Sequence, residues 1–131
     1  MVYILDASAL LAYLTREDKS RKVADLLTQA LSKNKPLFIS ALNWAEVAYK
    51  IQEYTNESYW HQLRDQLKTH PLHVVPVTQE IAEIAADIKH KYKLGLADAM
   101  AAALTKQQNA ILITKDNDFK VLEKFIKILW L

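Results

Sequence analysis

The chain has 131 residues, 51% of them hydrophobic and 24% charged, with a net charge of +2 at neutral pH. These are the proportions of one globular domain with a core of its own, and the charge is too mild to announce nucleic-acid binding. The lack of cysteine excludes disulfides and thiolate zinc sites and fits a reducing, cytoplasmic setting. No apolar run approaches the roughly 20 residues of a bilayer span. Nor does the N-terminus carry the basic stretch and cleavage-like site of a signal peptide. A single domain over residues 1–131 is expected.

Residues 2–5, VYIL, read as a first strand that runs straight into Asp6. Ser8 is expected to cap a short helix through about Leu14. The polar stretch REDKS is a loop, and Ser20 caps a second helix. In that helix Val23, Leu26, Leu27, Ala30 and Leu31 form one apolar stripe at helical period, and Asn34 and Pro36 end it. LFIS, 37–40, is a second strand, followed by a helix over 42–54. Asn56 caps another, with Trp60, Leu63 and Leu67 on one face. LHVVPV, 72–77, is a third strand with Pro76 near its end, where a missing N–H is tolerated. Thr78 caps a long helix to about Tyr92, and Gly95 breaks it. An Ala-rich helix runs from about Ala97 to Gln108 and stops at Asn109. AILIT, 110–114, is a fourth strand, and a small helix near 118–124 leads to a terminal strand, IKILWL.

Strands alternate with helices, and the first, second and fourth strands are almost unbroken apolar runs. Such runs belong to strands covered on both faces, so the expected fold is α/β: a three-layer α/β/α sandwich with a mostly parallel sheet of four to five strands. Ligands of such sheets sit beyond the carboxyl ends of the strands, at a switch in strand order.

Carboxylates fall at those ends. Asp6 follows the first strand, Glu46 lies in the first turns after the second, and Asp116 and Asp118 follow the fourth. Asp98 opens the helix before the fourth strand and joins the others only if that helix runs back toward the same edge. Singly, each acid has an ordinary explanation. Asp6 and Asp116 are turn residues, Glu46 has Lys50 four residues on, and Asp98 faces a helix dipole. Together, carboxylates gathered at one edge repel unless a cation joins them, and a cysteine-free oxygen set suits Mg²⁺ or Mn²⁺. Such an ion supports attack on phosphorus, which points to phosphoester hydrolysis.

ILDASALLAYL with Asp6, SALNWAEVAYKI with Glu46, LGLADAMAAALT with Asp98 and ILITKDNDF with Asp116 resemble the PIN-domain nucleases, over nearly the whole chain and in order. The nearest branch is that of the VapC toxins of type II toxin–antitoxin pairs. The resemblance implies a Mg²⁺- or Mn²⁺-dependent endoribonuclease that hydrolyses RNA phosphodiesters with metal-activated water, leaving a 5′-phosphate and a 3′-hydroxyl. By that analogy Asp6, Glu46, Asp98 and Asp116 are catalytic metal ligands, Ser8 and Thr114 are supporting hydroxyls, and Asp118 is a variable extra acid. It also implies a homodimer, a cognate antitoxin and no membrane. Lys115 stands where many relatives carry Asn or Gly. An RNA-processing nuclease outside a toxin–antitoxin pair and a non-catalytic PIN-like interaction module are the alternative readings.

Other enzyme patterns are missing. A haloacid-dehalogenase phosphatase needs an Asp where Ser8 stands, a receiver domain needs one after the third strand, and Gly95, the only glycine, supports no phosphate loop. KHKYK, 89–93, is read as a solvated helix end rather than an RNA grip with Tyr92 as a stacking ring. Arg16, Lys19, Arg21 and Lys22 form a second candidate basic rim under the same reading. His61, His70, His73 and His90 have no ligand spacing. Trp44, Tyr49, Tyr59 and Trp60 read as core, or as the wall of a dimer or antitoxin groove.

Overall fold

The computed structural model describes residues 1–16 and 20–131, with the side chains of Ser20 and Leu31 outside that description. The expected loop at 17–19, Lys19 in the basic rim, the Ser20 cap and the place of Leu31 in the apolar stripe therefore lie outside the described residues. In chain order the elements are β1 (Tyr3–Leu5), α1 (Ala7–Leu14), α2 (Ser20–Ser32), β2 (Leu37–Ser40), α3 (Ala41–Tyr54) and α4 (Glu57–Leu67). There follow β3 (Leu72–Val75), α5 (Gln79–Tyr92), α6 (Leu96–Gln107), β4 (Ile111–Thr114), a 3₁₀ helix (Asn117–Leu122) and β5 (Lys127–Trp130). Among the described residues the strands form one five-stranded sheet, β3-β2-β1-β4-β5, parallel at every pairing.

Side-chain alternation along the strands builds a core on each face. Ile4 and Leu112 join the cluster under α5 and α6, with Ile81, Ile88, Met100 and Phe119. Leu5, Ile39 and Ile113 join the opposite cluster, with Val23, Leu27, Val47, Ile51 and Trp60. Neighbouring residues thus feed opposite layers, which is why the central strands need apolar residues at every position. The edge strand β3 leaves His73 and Val74 exposed.

Several boundaries differ from expectation, each for a local reason. The cap of α1 is Asp6, not Ser8: its carboxylate accepts the Ala9 N–H at 2.9 Å, so the helix starts at Ala7. The expected strand at 72–77 ends at Val75, before Pro76. Gly95 does not break α5. Lys93 does, at φ 60°, and the Lys89 ammonium donates to the Leu94 carbonyl beyond it at 2.9 Å. Gly95 is instead the extended residue before α6. Asn34 and Asn109 end their helices in left-handed conformations that asparagine tolerates.

Two features decide where the acids fall. The chain lays β1, β2 and β3 outward on one side and then returns to place β4 on the other side of β1. The order therefore switches between β1 and β4, whose ends carry Asp6 and Asp116. Helix α6 precedes β4 and packs against it, and Asp98 in its first turn lines the same cleft as Asp6 and Asp116. Asn43 pins that turn. It is fully buried, and its Nδ2 donates to the Ala97 carbonyl at 3.2 Å while its Oδ1 accepts from Ser40 Oγ. The Asn43 N–H donates back to Ser40 Oγ at 3.1 Å.

Replacing Asn43 with Ala strips these partners, and we expect a loss of about 1–3 kcal/mol in urea denaturation. Phe119, wholly buried behind the Asp116 loop, should cost about 3–5 kcal/mol on truncation to Ala, by the same measurement.

Candidate active site

Asp6 is held more tightly than any other acid of the edge. Its Oδ1 accepts the Ala9 N–H and the Ser8 hydroxyl (2.8 Å), and its Oδ2 accepts the Thr114 hydroxyl at 2.6 Å. The two hydroxyls in turn accept the next backbone amides of the β4 exit. Ser8 Oγ takes the Lys115 N–H at 3.1 Å, and Thr114 Oγ1 takes that of Asp116 at 2.9 Å. The carboxylate thus caps α1 and ties the end of β1 to the end of β4. Both Ser8 and Thr114 therefore donate a hydroxyl to this carboxylate.

Asp6, Ser8, Glu46, Asp98, Lys115 and Asp116 line a single open cleft of about 490 Å³, with Leu11, Thr15, Lys50 and Tyr54 as its remaining wall. All four primary acids named from sequence therefore reach one concavity. They are not equivalent. Asp98, Asp116 and Asp118 each bring a carboxylate oxygen within 4.8 Å of the others. Asp118, read from sequence as a variable extra, belongs to this tight group. Glu46 stands at the side, paired with the Lys50 ammonium at 3.5 Å. Asp116 also caps the 3₁₀ helix through the Asp118 N–H (2.9 Å), which orients both acids of the loop.

Burial and mutual repulsion set the electrostatics. Burial pushes the Asp6 carboxyl up to about 6, against the opposing pull of its hydrogen bonds from Thr114, Ala9 and Ser8. Asp98 is raised to about 7, first by burial and then by the charges of Asp116, Asp6, Glu46 and Asp118. Carboxyls lifted this far are short of positive charge. The residues present fit a hard divalent ion: apart from the ammonium groups of Lys50 and Lys115, the polar side chains among the described residues lining the cleft are carboxylates and hydroxyls, with neither thiolate nor imidazole among them.

Other sequence readings find their places. Tyr92 stacks on Phe125 at 5.8 Å and Lys89 serves a helix end, so the 89–93 segment has structural work. Within the second basic rim, Lys22 donates to the Trp130 carbonyl at 2.9 Å. Trp44 and Trp60 meet edge to face at 5.3 Å, joining α3 to α4. His70 bonds Tyr13 and the Gln66 carbonyl. Sequence reasoning missed Asn43. The signal was there: Asn43, Val47 and Ile51 are the buried residues of α3 at intervals of four, so a polar residue stands in an apolar stripe.

Comparison with known proteins gives a consistent picture. The chain is similar to a toxin–antitoxin complex from Klebsiella pneumoniae, at 24% identity over 97% of this chain and 95% of that one, with a TM-score of 0.70. It is similar to VapBC2 from Rickettsia felis bound to a DNA fragment from their promoter, at 18% identity over 100% and 99%, TM-score 0.76. VapBC-1 from nontypeable Haemophilus influenzae matches at 18% identity over 99% and 98%, TM-score 0.74. At these identities the likeness is one of fold. A search of curated proteins gives no match. The family description that matches is "PIN domain", over residues 3–124, which include the acids of the cleft. The chain belongs to the PIN domain family.

Proposed function

We propose that this protein is a Mg²⁺- or Mn²⁺-dependent endoribonuclease and the toxin of a toxin–antitoxin pair, acting in the cytoplasm as a homodimer under a cognate antitoxin. The observation that carries the reading is the convergence of acids from four separate segments on one cleft of a PIN domain. The full-length likeness to toxin–antitoxin complexes supports the biological role. No helix among the described residues is long and apolar enough to cross a membrane.

In this reading Asp98, Asp116 and Asp118 hold the ion, with Asp6 and Glu46 facing it from the other walls. When bound, the ion lowers the pKa of water and offsets charge on a phosphate. The chain's own residues supply position. The hydrogen bonds from Ala9, Ser8 and Thr114 keep Asp6 in one orientation. Asn43 holds the first turn of α6, and with it Asp98, against the start of α3. Lys50 leaves Glu46 with a cation at the wall where a phosphate enters.

Asp98→Asn should lower the cleavage of RNA in Mn²⁺ by roughly a hundredfold or more while circular dichroism shows an intact fold. Full cleavage by that variant would overturn the assignment. The products should carry 5′-phosphates and 3′-hydroxyls. Expression of the wild type should arrest bacterial growth and Asp98→Asn should not. An RNA-cleaving wild type that leaves growth untouched would favour an RNA-processing role.

Proton linkage gives a further test. Both Asp6 and Asp98 are raised, to about 6 and about 7, so each holds a proton below its value that an ion must displace. Mn²⁺ affinity should fall as pH drops through 7 and then 6. Calorimetry in buffers of different ionisation enthalpy should detect released protons at pH 6 and few at pH 8.5. No Mn²⁺ binding at either pH would instead mark a non-catalytic interaction module.

A further inference from the structure

Glu46, Lys50 and Tyr54 stand four residues apart on α3, and all three line the acidic cleft. That interval keeps side chains on one helix face and advances about 6 Å per step. The wall therefore presents a carboxylate, then an ammonium, then a phenol ring, running outward from the acids toward the end of α3. Acids alone repel a polyanion, so a substrate phosphate needs a cation on this wall, and Lys50 is there, 3.5 Å from Glu46. Tyr54 is 73% exposed, the most exposed of the large hydrophobic side chains among the described residues. No described aromatic ring stacks on it, whereas Tyr92 and Trp44 each have a ring partner. Folding has left a flat apolar surface in water, one helical turn from a cation, on the wall of the cleft.

We propose that Lys50 and Tyr54 form a nucleotide subsite for single-stranded RNA beside the acidic cluster, with Lys50 holding a phosphate and Tyr54 stacking on an unpaired base. The proposal rests on the ribonuclease reading and adds which two side chains of α3 hold the nucleotide beside the acids. A base inside a duplex has both faces covered and offers nothing to the ring, while an unstacked base offers one to any aromatic side chain.

The test is fluorescence anisotropy with a labelled eight-nucleotide RNA of mixed sequence, single-stranded or annealed to its complement, on the Asp98→Asn protein so that the probe survives. Adding Tyr54→Ala should weaken single-strand binding about tenfold and leave duplex binding unchanged. Adding Tyr54→Phe, which keeps the ring, should restore binding to within about twofold. Adding Lys50→Met should reduce the slope of log affinity against log salt by about 0.7, whereas Tyr54→Ala keeps it. Equal single-strand binding by the Tyr54→Ala protein, or equal losses on both forms of the probe, would overturn the subsite. A wild-type protein that leaves the single-stranded probe uncut in Mn²⁺ would defeat the ribonuclease reading instead, so the two failures are distinguishable.

Discussion

The buried carboxylate of Asp6 is the constraint on which the site depends. It sits where strand order reverses, and it satisfies groups on both sides of that reversal: the opening amide of α1 and the hydroxyls that gather the β4 exit. An aspartate has the short side chain and the paired oxygens to do this at once. The ordinary reading of Asp6 as a helix cap and the functional reading as a site acid are therefore both satisfied by one side chain. The cap and the clamp share that carboxylate, so its side-chain bonds extend the strand pairing that already joins β1 to β4 through Leu5 opposite Ile113 and the Asp6 N–H on the Ile113 carbonyl.

The rest of the cleft is organised against its own electrostatics. Folding brings negative groups together at an edge where helices shield them from water, and two of them are driven upward in pKa as a result. The protein tolerates this because a buried apolar cluster covers each face of the sheet and α1, α3, α4 and α5 each start at a side-chain cap. Strain of this kind, concentrated at one edge of a domain that is otherwise locally consistent, is what a site built to receive a cation requires.

Much of this was legible in the residues, for identifiable reasons. Apolar runs at β1, β2 and β4 and helical stripes such as Val23–Leu27–Ala30 report burial directly, so the layered architecture followed from them. Asp6, Glu46 and Asp116 were placed because a parallel sheet puts the sequel of every strand at one edge. Asp98 was harder, since its position depends on the direction of α6, and periodicity carries no direction. The rank of Asp118 depended on the 3₁₀ turn that folds it beside Asp116, a matter of loop geometry. Two of the caps expected from sequence, Asn56 and Thr78, stand where they were placed; Ser8 does not, because Asp6, as good a capping residue, takes the Ala9 amide and starts α1 at Ala7. The polar member of the α3 stripe, Asn43, went unread because its partner lies 54 positions away on another helix.

The wide spacing of the acids along the chain has a consequence for biosynthesis. The last of them follows β4, and that loop is backed by Phe119 and Leu122, buried in the core. A nascent chain that stops short of this segment has the first three motifs but no fourth wall to its cleft. The acidic centre can be completed only once Asp116 and Asp118 have followed β4 and Phe119 and Leu122 have packed behind them, so the order of the motifs along the chain makes the site the last part of the domain to close.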